Sequence, residues 1–223
     1  MTGPGTPHTR AVHEGQAPYS PLTLRGYDPL VFGVNYRFFW RCHPQHMIDL
    51  YERTITDDHL DIGVGTGYLL RACSPSARRR IALVDLNPHS LRHTARGLKG
   101  YDVSCHRADA LRPLPLPPSS FDSAALSFLL HCLPGAIPDK ARALDHAAAC
   151  VRPGGRIFGS TVVAHGVPVT PAARRLMAYF NRRGIFHNNA DHLEDLHAEL
   201  ASRFASFRLT THGCVALFEA TVE

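Results

Sequence analysis

Asp61-Ile62-Gly63-Val64-Gly65-Thr66-Gly67 is the stretch that decides the fold. It ends an apolar run, His59 to Ile62, that reads as a strand, and it opens a helical stretch from about Gly67 to Cys73. Glycine at alternate positions permits a tight strand-to-helix turn and leaves bare backbone against which a ligand can lie. The turn reads G-x-G-x-G, not the G-x-G-x-x-G of dinucleotide-binding dehydrogenases, and an acid stands two positions before its first glycine. Beside a pyrophosphate that acid would repel, whereas facing a cationic amino group it would accept hydrogen bonds. The reading therefore disfavours a nicotinamide oxidoreductase.

Outward from this turn, Ile81 to Asp85, Asp102 to His106, Phe121 to Ser127 and Arg156 to Val163 also read as strands. Helical stretches from Ser90 to Lys99 and Ile137 to Val151 alternate with them, the first announced by Asn87-Pro88. The alternation predicts an α/β fold with a mostly parallel sheet and helices on both faces. Asp85 ends the second strand, 18 residues after Gly67, where a carboxylate can accept both hydroxyls of a ribose. Asp109, in Arg107-Ala108-Asp109-Ala110, follows the third strand at the same sheet edge and is placed to accept from an adenine amino group. Pro113, Pro115, Pro117 and Pro118 make Leu111 to Ser119 a loop. Beyond His165 two helices, Pro171 to Arg183 and Ala190 to Phe204, precede two β-like runs, Phe207 to Thr211 and Val215 to Val222, that suit a hairpin.

With its acids after three successive strands, the chain resembles the class I S-adenosylmethionine-dependent methyltransferases over about Thr56 to Thr161. The family's glycine motif corresponds to Asp61, Gly63, Gly65 and Gly67, its ribose acid to Asp85 with Leu86 beside it, and its adenine acid to Asp109 with Ala110. A motif placed after a strand corresponds to Val151-Arg152-Pro153-Gly154-Gly155. The resemblance implies S-adenosylmethionine as cofactor and a Rossmann-like, seven-stranded sheet closed by an antiparallel strand. It further implies that Ser127 to His131 lie beside the methionine part of the cofactor and the acceptor, with Ser127 and Phe128 as cofactor contacts.

The bulk properties narrow the partners. A length of 223 residues suits one α/β domain with additions, read as a tail over 1–20, an N-terminal helical lid over 21–55 and a catalytic domain over 56–223 with a helical insertion near 168–204. The net charge of +5 comes mostly from scattered arginines, and the short Arg clusters are not interleaved with stacking aromatics, so no nucleic-acid partner is expected. No apolar run approaches a membrane span, and the first 20 residues lack the apolar core of a secretory signal. Six cysteines without a C-x-x-C pair suit reduced thiols in the cytoplasm. His43 and His46 lack further ligands, so no metal is expected.

Methyl transfer demands positioning above all, and a general base only where the acceptor must lose a proton early. His131, within Phe128-Leu129-Leu130-His131-Cys132-Leu133-Pro134, is the first candidate for that base. Tyr36, with Tyr27, Phe39 and Trp40, belongs to an aromatic N-terminal segment suited to a lid or a homodimer contact. Tyr179, Asn181 and His187 sit in a polar and aromatic stretch that reads as a pocket wall. The leading function is methyl transfer to a small molecule by in-line displacement. Its rivals are cleavage of the cofactor's aminocarboxypropyl arm, with release of methylthioadenosine, and a cofactor-binding partner protein without chemistry.

Overall fold

The computed structural model describes residues 38–73 and 80–223. In order, the elements are α1 (Gln45–Thr54), β1 (Asp58–Ile62), α2 (Tyr68–Ala72), β2 (Arg80–Asp85), α3 (Pro88–Gly97), β3 (Asp102–Arg107), β4 (Phe121–Ser127), α4 (Ile137–Lys140), α5 (Arg142–Cys150), β5 (Val151–Val162), α6 (Pro171–Arg182), α7 (Leu193–Arg203), β6 (Phe207–His212) and β7 (Val215–Thr221). They form a seven-stranded sheet of order β3-β2-β1-β4-β5-β7-β6. Pairings among β1 to β5 are parallel, and β7 runs antiparallel to both β5 and β6. The expected sheet and closing antiparallel strand are both present.

Alternation along each strand divides the core into two layers. Leu60, Ile62, Ala82, Val84, Ala124, Leu126 and Ile157 face α5 and α7, where Leu144, Ala147, Leu196 and Leu200 cover them. Ile81, Leu83, Ala125 and Phe158 face the other way, against Met47 and Leu50 of α1, Leu69 of α2, Leu91 of α3 and Met177 of α6. Strand order reverses between β1 and β4, so their carboxyl ends diverge and open a crevice at that point.

Two details depart from expectation. The helix expected over Ile137 to Val151 is two helices, meeting at Ala141. Val151-Arg152-Pro153-Gly154-Gly155 opens β5 instead of following a strand: the β4–β5 register slips between Phe121 and Ser123, and Pro153, without an N–H, is suited to that bulge. The helical segment read over 21–55 reaches the described residues only in part, where α1 begins after Pro44.

The N-terminal segment is anchored at the sheet's carboxyl edge. The Trp40 carbonyl accepts the backbone N–H of Cys214 at 3.1 Å, in the turn between β6 and β7. Gly213 makes this approach possible, since a Cβ there would lie 1.9 Å from the Trp40 oxygen. No described helix is long and apolar enough to cross a membrane, and all six cysteines are free thiols.

Candidate active site

The crevice between β1 and β4 is lined by Ile62, Gly63 and Gly65 from the first turn, Val84, Asp85 and Leu86 from the second, Ala108, Asp109 and Ala110 from the third, and Phe128, Leu129, Cys132, Leu133 and Pro134 after β4. Each group follows a strand's carboxyl end, so the sheet itself sets their spacing. In the first turn Gly63, Gly65 and Gly67 all have positive φ (76°, 52° and 71°), which side chains rarely adopt. Gly63 matters for a second reason: a Cβ there would come within 2.8 Å of Leu129 Cδ1, so its absence lets the opposite wall close on the turn.

Asp85 is half-buried at the end of β2, where its carboxylate accepts the backbone N–H of Asn87 at 2.8 Å and of Gly65 at 3.3 Å. Loss of water around it outweighs these bonds and pushes its pKa up to about 6. Asp109 accepts the N–H of Leu111 at 2.9 Å, which turns the chain at the third edge. An apolar slot with a carboxylate at each of two rims matches the shape and polarity of adenosine, and the glycine turn leaves backbone open beside it. The residues present fit S-adenosylmethionine.

Asp61, Gly67 and Ser127 stand apart from the lining. Gly67 packs against Thr94 of α3, where a Cβ would meet the Thr94 methyl at 2.5 Å. Asp61 points to the α1 face of the sheet, is 4% exposed, and accepts the Tyr51 hydroxyl on Oδ2 at 3.0 Å. Burial, with Asp61 alongside, pushes the Tyr51 hydroxyl well above its ordinary pKa and keeps it a donor. Ser127 lies beside the same phenol.

The catalytic candidates scatter, and most are corrected by their surroundings. His131 sits in a short 3-10 turn, Leu130–Cys132, and is 3% exposed. Its Nδ1 accepts the backbone N–H of Val162 at 3.2 Å and lies 3.3 Å from Thr161 Oγ1. Burial, with the Lys140 charge nearby, holds its pKa down at about 3. The ring is buried and its Nδ1 lone pair is committed, an arrangement that disfavours the general base expected there.

Asn181 is a strut: its amide donates to the Met177 carbonyl and to Asn188 Oδ1, each at 2.8 Å, and its oxygen accepts the Asn188 N–H at 3.1 Å. Tyr179 is 43% exposed, with the Arg183 guanidinium 5.4 Å over its ring, and is not among the residues lining the crevice. His187 acts through its backbone, donating to the His131 carbonyl at 2.7 Å and accepting Lys140 Nζ at 2.8 Å. Tyr36 and Tyr27 lie outside the described residues.

Sequence reasoning missed the apolar wall from Leu133 and the partners of Asp61. It also missed a buried ion pair, Lys140 Nζ to Asp191 Oδ2 at 2.6 Å, with both side chains fully buried. The rarity of lysine was a signal, since Lys140 is one of two in the chain and falls in an apolar helical stretch.

Comparison with known proteins bears on the same site. The Methyltransferase domain family matches residues 60–157, from β1 into β5. Demethylluteothin O-methyltransferase of Streptomyces thioluteus is 49% identical over 94% of this chain and 91% of its own length. A physcion biosynthesis cluster O-methyltransferase of Aspergillus chevalieri is 32% identical over 96% of this chain and 97% of its own. Among solved structures, a SAM-dependent methyltransferase of Thermotoga maritima superposes with a TM-score of 0.67 over 95% of this chain and all of its own, at 15% identity, a likeness of fold. Cleavage of the aminocarboxypropyl arm draws no support from these relatives. The crevice, the order of its motifs and the extent of the shared sequence agree: this chain is an S-adenosylmethionine-dependent methyltransferase and belongs to the class I family.

Proposed function

We propose that the enzyme methylates an acidic hydroxyl, an enol or a phenol, on a small planar acceptor by in-line displacement. The observation that carries this reading is an aromatic wall continuous with the crevice. Phe128 lines the crevice and meets the His131 ring at 5.9 Å; His131 meets Phe186 at 4.3 Å, and Phe186 meets Phe180 at 4.9 Å and Trp40 at 6.0 Å. Phe128, the member of this run that lines the crevice, offers a flat, apolar acceptor a ring to pack on, and the buried rings behind it hold it in place. The similar proteins named above for O-methylation in biosynthetic settings support oxygen as the accepting atom.

Bound S-adenosylmethionine supplies a methyl group on a positively charged sulfur. In this reading Asp85 accepts the ribose hydroxyls, Asp109 the adenine amino group, and Leu86, Ala110 and Leu133 flank the base. Gly63 and Gly65 let the methionine arm pass toward Asp61, which receives its ammonium, while Ser127 and Phe128 flank the arm. Phe128, held with φ at 56° while its N–H donates to the Ser160 carbonyl at 2.7 Å, is a strained residue at the junction of crevice and wall. With Nδ1 occupied and the ring buried, His131 takes no proton from the acceptor. The acceptor therefore has to ionise by its own acidity. Residues 21–55 act as a lid and 56–223 as the catalytic domain, with the insertion near 168–204 contributing Phe180 and Phe186; Trp40 against Phe186 supports that division. The six free thiols support a reducing, cytoplasmic setting.

The test offers cyclic enols and phenols of graded acidity, an aliphatic alcohol and an amine, with products read by mass spectrometry. Oxygen methylation of the acidic acceptors alone is expected, and the acid limb of the kcat/KM profile should move with the acceptor's own pKa. A limb fixed at one pH across acceptors would reveal an enzymic base and overturn the proposal. Separately, Gly63→Ala should weaken binding of S-adenosylhomocysteine by about tenfold through backbone strain and displacement of Leu129. Calorimetric titration checks this, and unchanged affinity would remove the turn from the cofactor site.

A further inference from the structure

Beneath the glycine turn, on the α1 face of the sheet, buried polar groups form a chain that no cofactor contact accounts for. Ser123 Oγ, on β4, is its centre. It accepts the backbone N–H of Thr56 at 3.0 Å, lies 2.7 Å from Thr56 Oγ1, and lies 2.8 Å from His59 Nδ1. Across the ring, His59 Nε2 is 3.6 Å from Asp61 Oδ2, the same oxygen that Tyr51 reaches. His59 is fully buried, between Tyr51 and the Phe158 ring at 5.8 Å, and its Nε2 makes no hydrogen bond among the described residues.

We infer that His59 is a positioning residue for the cofactor's ammonium group, acting through Asp61. The carboxylate beside Nε2 sets its tautomer, since Thr56 Oγ1 donates to the Asp58 carbonyl at 3.1 Å and the Ser123 proton can go to either neighbour. With Ser123 donating to His59 Nδ1, the imidazole proton lies on Nε2 and faces the Asp61 carboxylate. The opposite order would set a lone pair against that carboxylate at 3.6 Å, which is electrostatically unfavourable. With Nε2–H and the Tyr51 hydroxyl gathered on Oδ2, the carboxylate is held in one orientation and Oδ1 is the oxygen left to meet an incoming cation. A histidine in a central strand, with its ring stacked under the sheet and both nitrogens aimed at polar atoms, costs apolar packing; orienting Asp61 offsets that cost. The inference rests on the assignment of Asp61 to the ammonium.

Two ligands separate the effects. S-adenosylhomocysteine carries the amino-acid arm and 5′-methylthioadenosine lacks it, while the adenosine is common to both. By calorimetry, His59→Phe should weaken S-adenosylhomocysteine by about tenfold and leave 5′-methylthioadenosine unchanged. His59→Gln, whose amide nitrogen can reach the position of Nε2, should restore most of that loss. Equal weakening of both ligands, or of neither, would overturn the positioning role. Should His59→Phe not fold, Ser123→Ala frees Nδ1 with a smaller change and should show the same selective loss, its absence being equally decisive. Asp61→Asn tests the underlying assignment separately: it should abolish the preference for the ligand with the arm, and a preference kept intact would remove Asp61 from the ammonium site whatever His59 does.

Discussion

Asp85→Ala is expected to lower affinity for S-adenosylhomocysteine by about two orders of magnitude or more, because hydrogen bonds to a charged acceptor contribute about 1.5–3 kcal/mol each and a ribose offers two. The variant also strips the N–H groups of Asn87 and Gly65 of their acceptor, loosening the turn that holds the cofactor. The carboxyl adds a pH dependence of definite sign. Its pKa of about 6 in the folded chain exceeds the ordinary 3.8. Its contribution to folding stability is therefore fully present below about pH 4 and lost as pH rises through about 6. Cofactor binding runs the other way, since ribose hydroxyls donate to the ionised form: affinity should rise with pH through about 6 and then level off. Calorimetry across pH 5 to 8, in wild type and Asp85→Ala, measures both effects. Retained affinity in the variant, within about threefold, would move the ribose elsewhere.

The second large effect concerns stability. Lys140 donates to both oxygens of Asp191, at 2.7 and 2.6 Å, and to the His187 carbonyl at 2.8 Å, with no exposed surface on either side chain. Burial pushes the Lys140 pKa down and that of Asp191 up to about 6, but each charge is the other's main compensation and the pair stands as ions at neutral pH. Removing one partner leaves a buried charge without an answer, so Lys140→Met should destabilise the fold by about 3–5 kcal/mol. The double variant Lys140→Met with Asp191→Leu should regain much of that. Chemical denaturation of the wild type and the two variants decides the matter: if the single and double changes cost the same, the loss is one of packing and not of an orphaned charge. The pair also ties α4 to the segment carrying Phe186 and His187, so the single variant should disturb the aromatic wall as well.

The parts of this fold legible in the sequence were those fixed by local spacing. Glycines at 63, 65 and 67, with acids at 85 and 109, follow from where strands end, and the structure brings Gly63, Gly65, Asp85, Leu86, Asp109 and Ala110 to one crevice. What the linear pattern hid was facing. Asp61 lies between Leu60 and Ile62, so when those two enter one layer its side chain must enter the other, beneath the turn. In the heptapeptide ending at Pro134 a 3-10 turn sends Leu129 and Leu133 to the crevice and His131 into the core. On α6, Met177 and Asn181 share the inward face at a spacing of four, and Tyr179, two residues after Met177, falls outside. The partnership of Lys140 with Asp191 spans 51 positions, and no periodicity in a single sequence connects them.

The Trp40 carbonyl meets the Cys214 N–H only after the last hairpin has formed, for the seat it occupies is the bare backbone of Gly213. A chain emerging from the ribosome makes Trp40 long before Gly213. The aromatic run that Trp40 completes with Phe186 is thus seated by a contact across 174 positions. Sequence separations of that size make the slowest contacts in a fold. A nascent or C-terminally clipped chain would carry every cofactor contact from the first three strands yet lack the seat for this wall, so nucleotide binding should mature before acceptor selectivity.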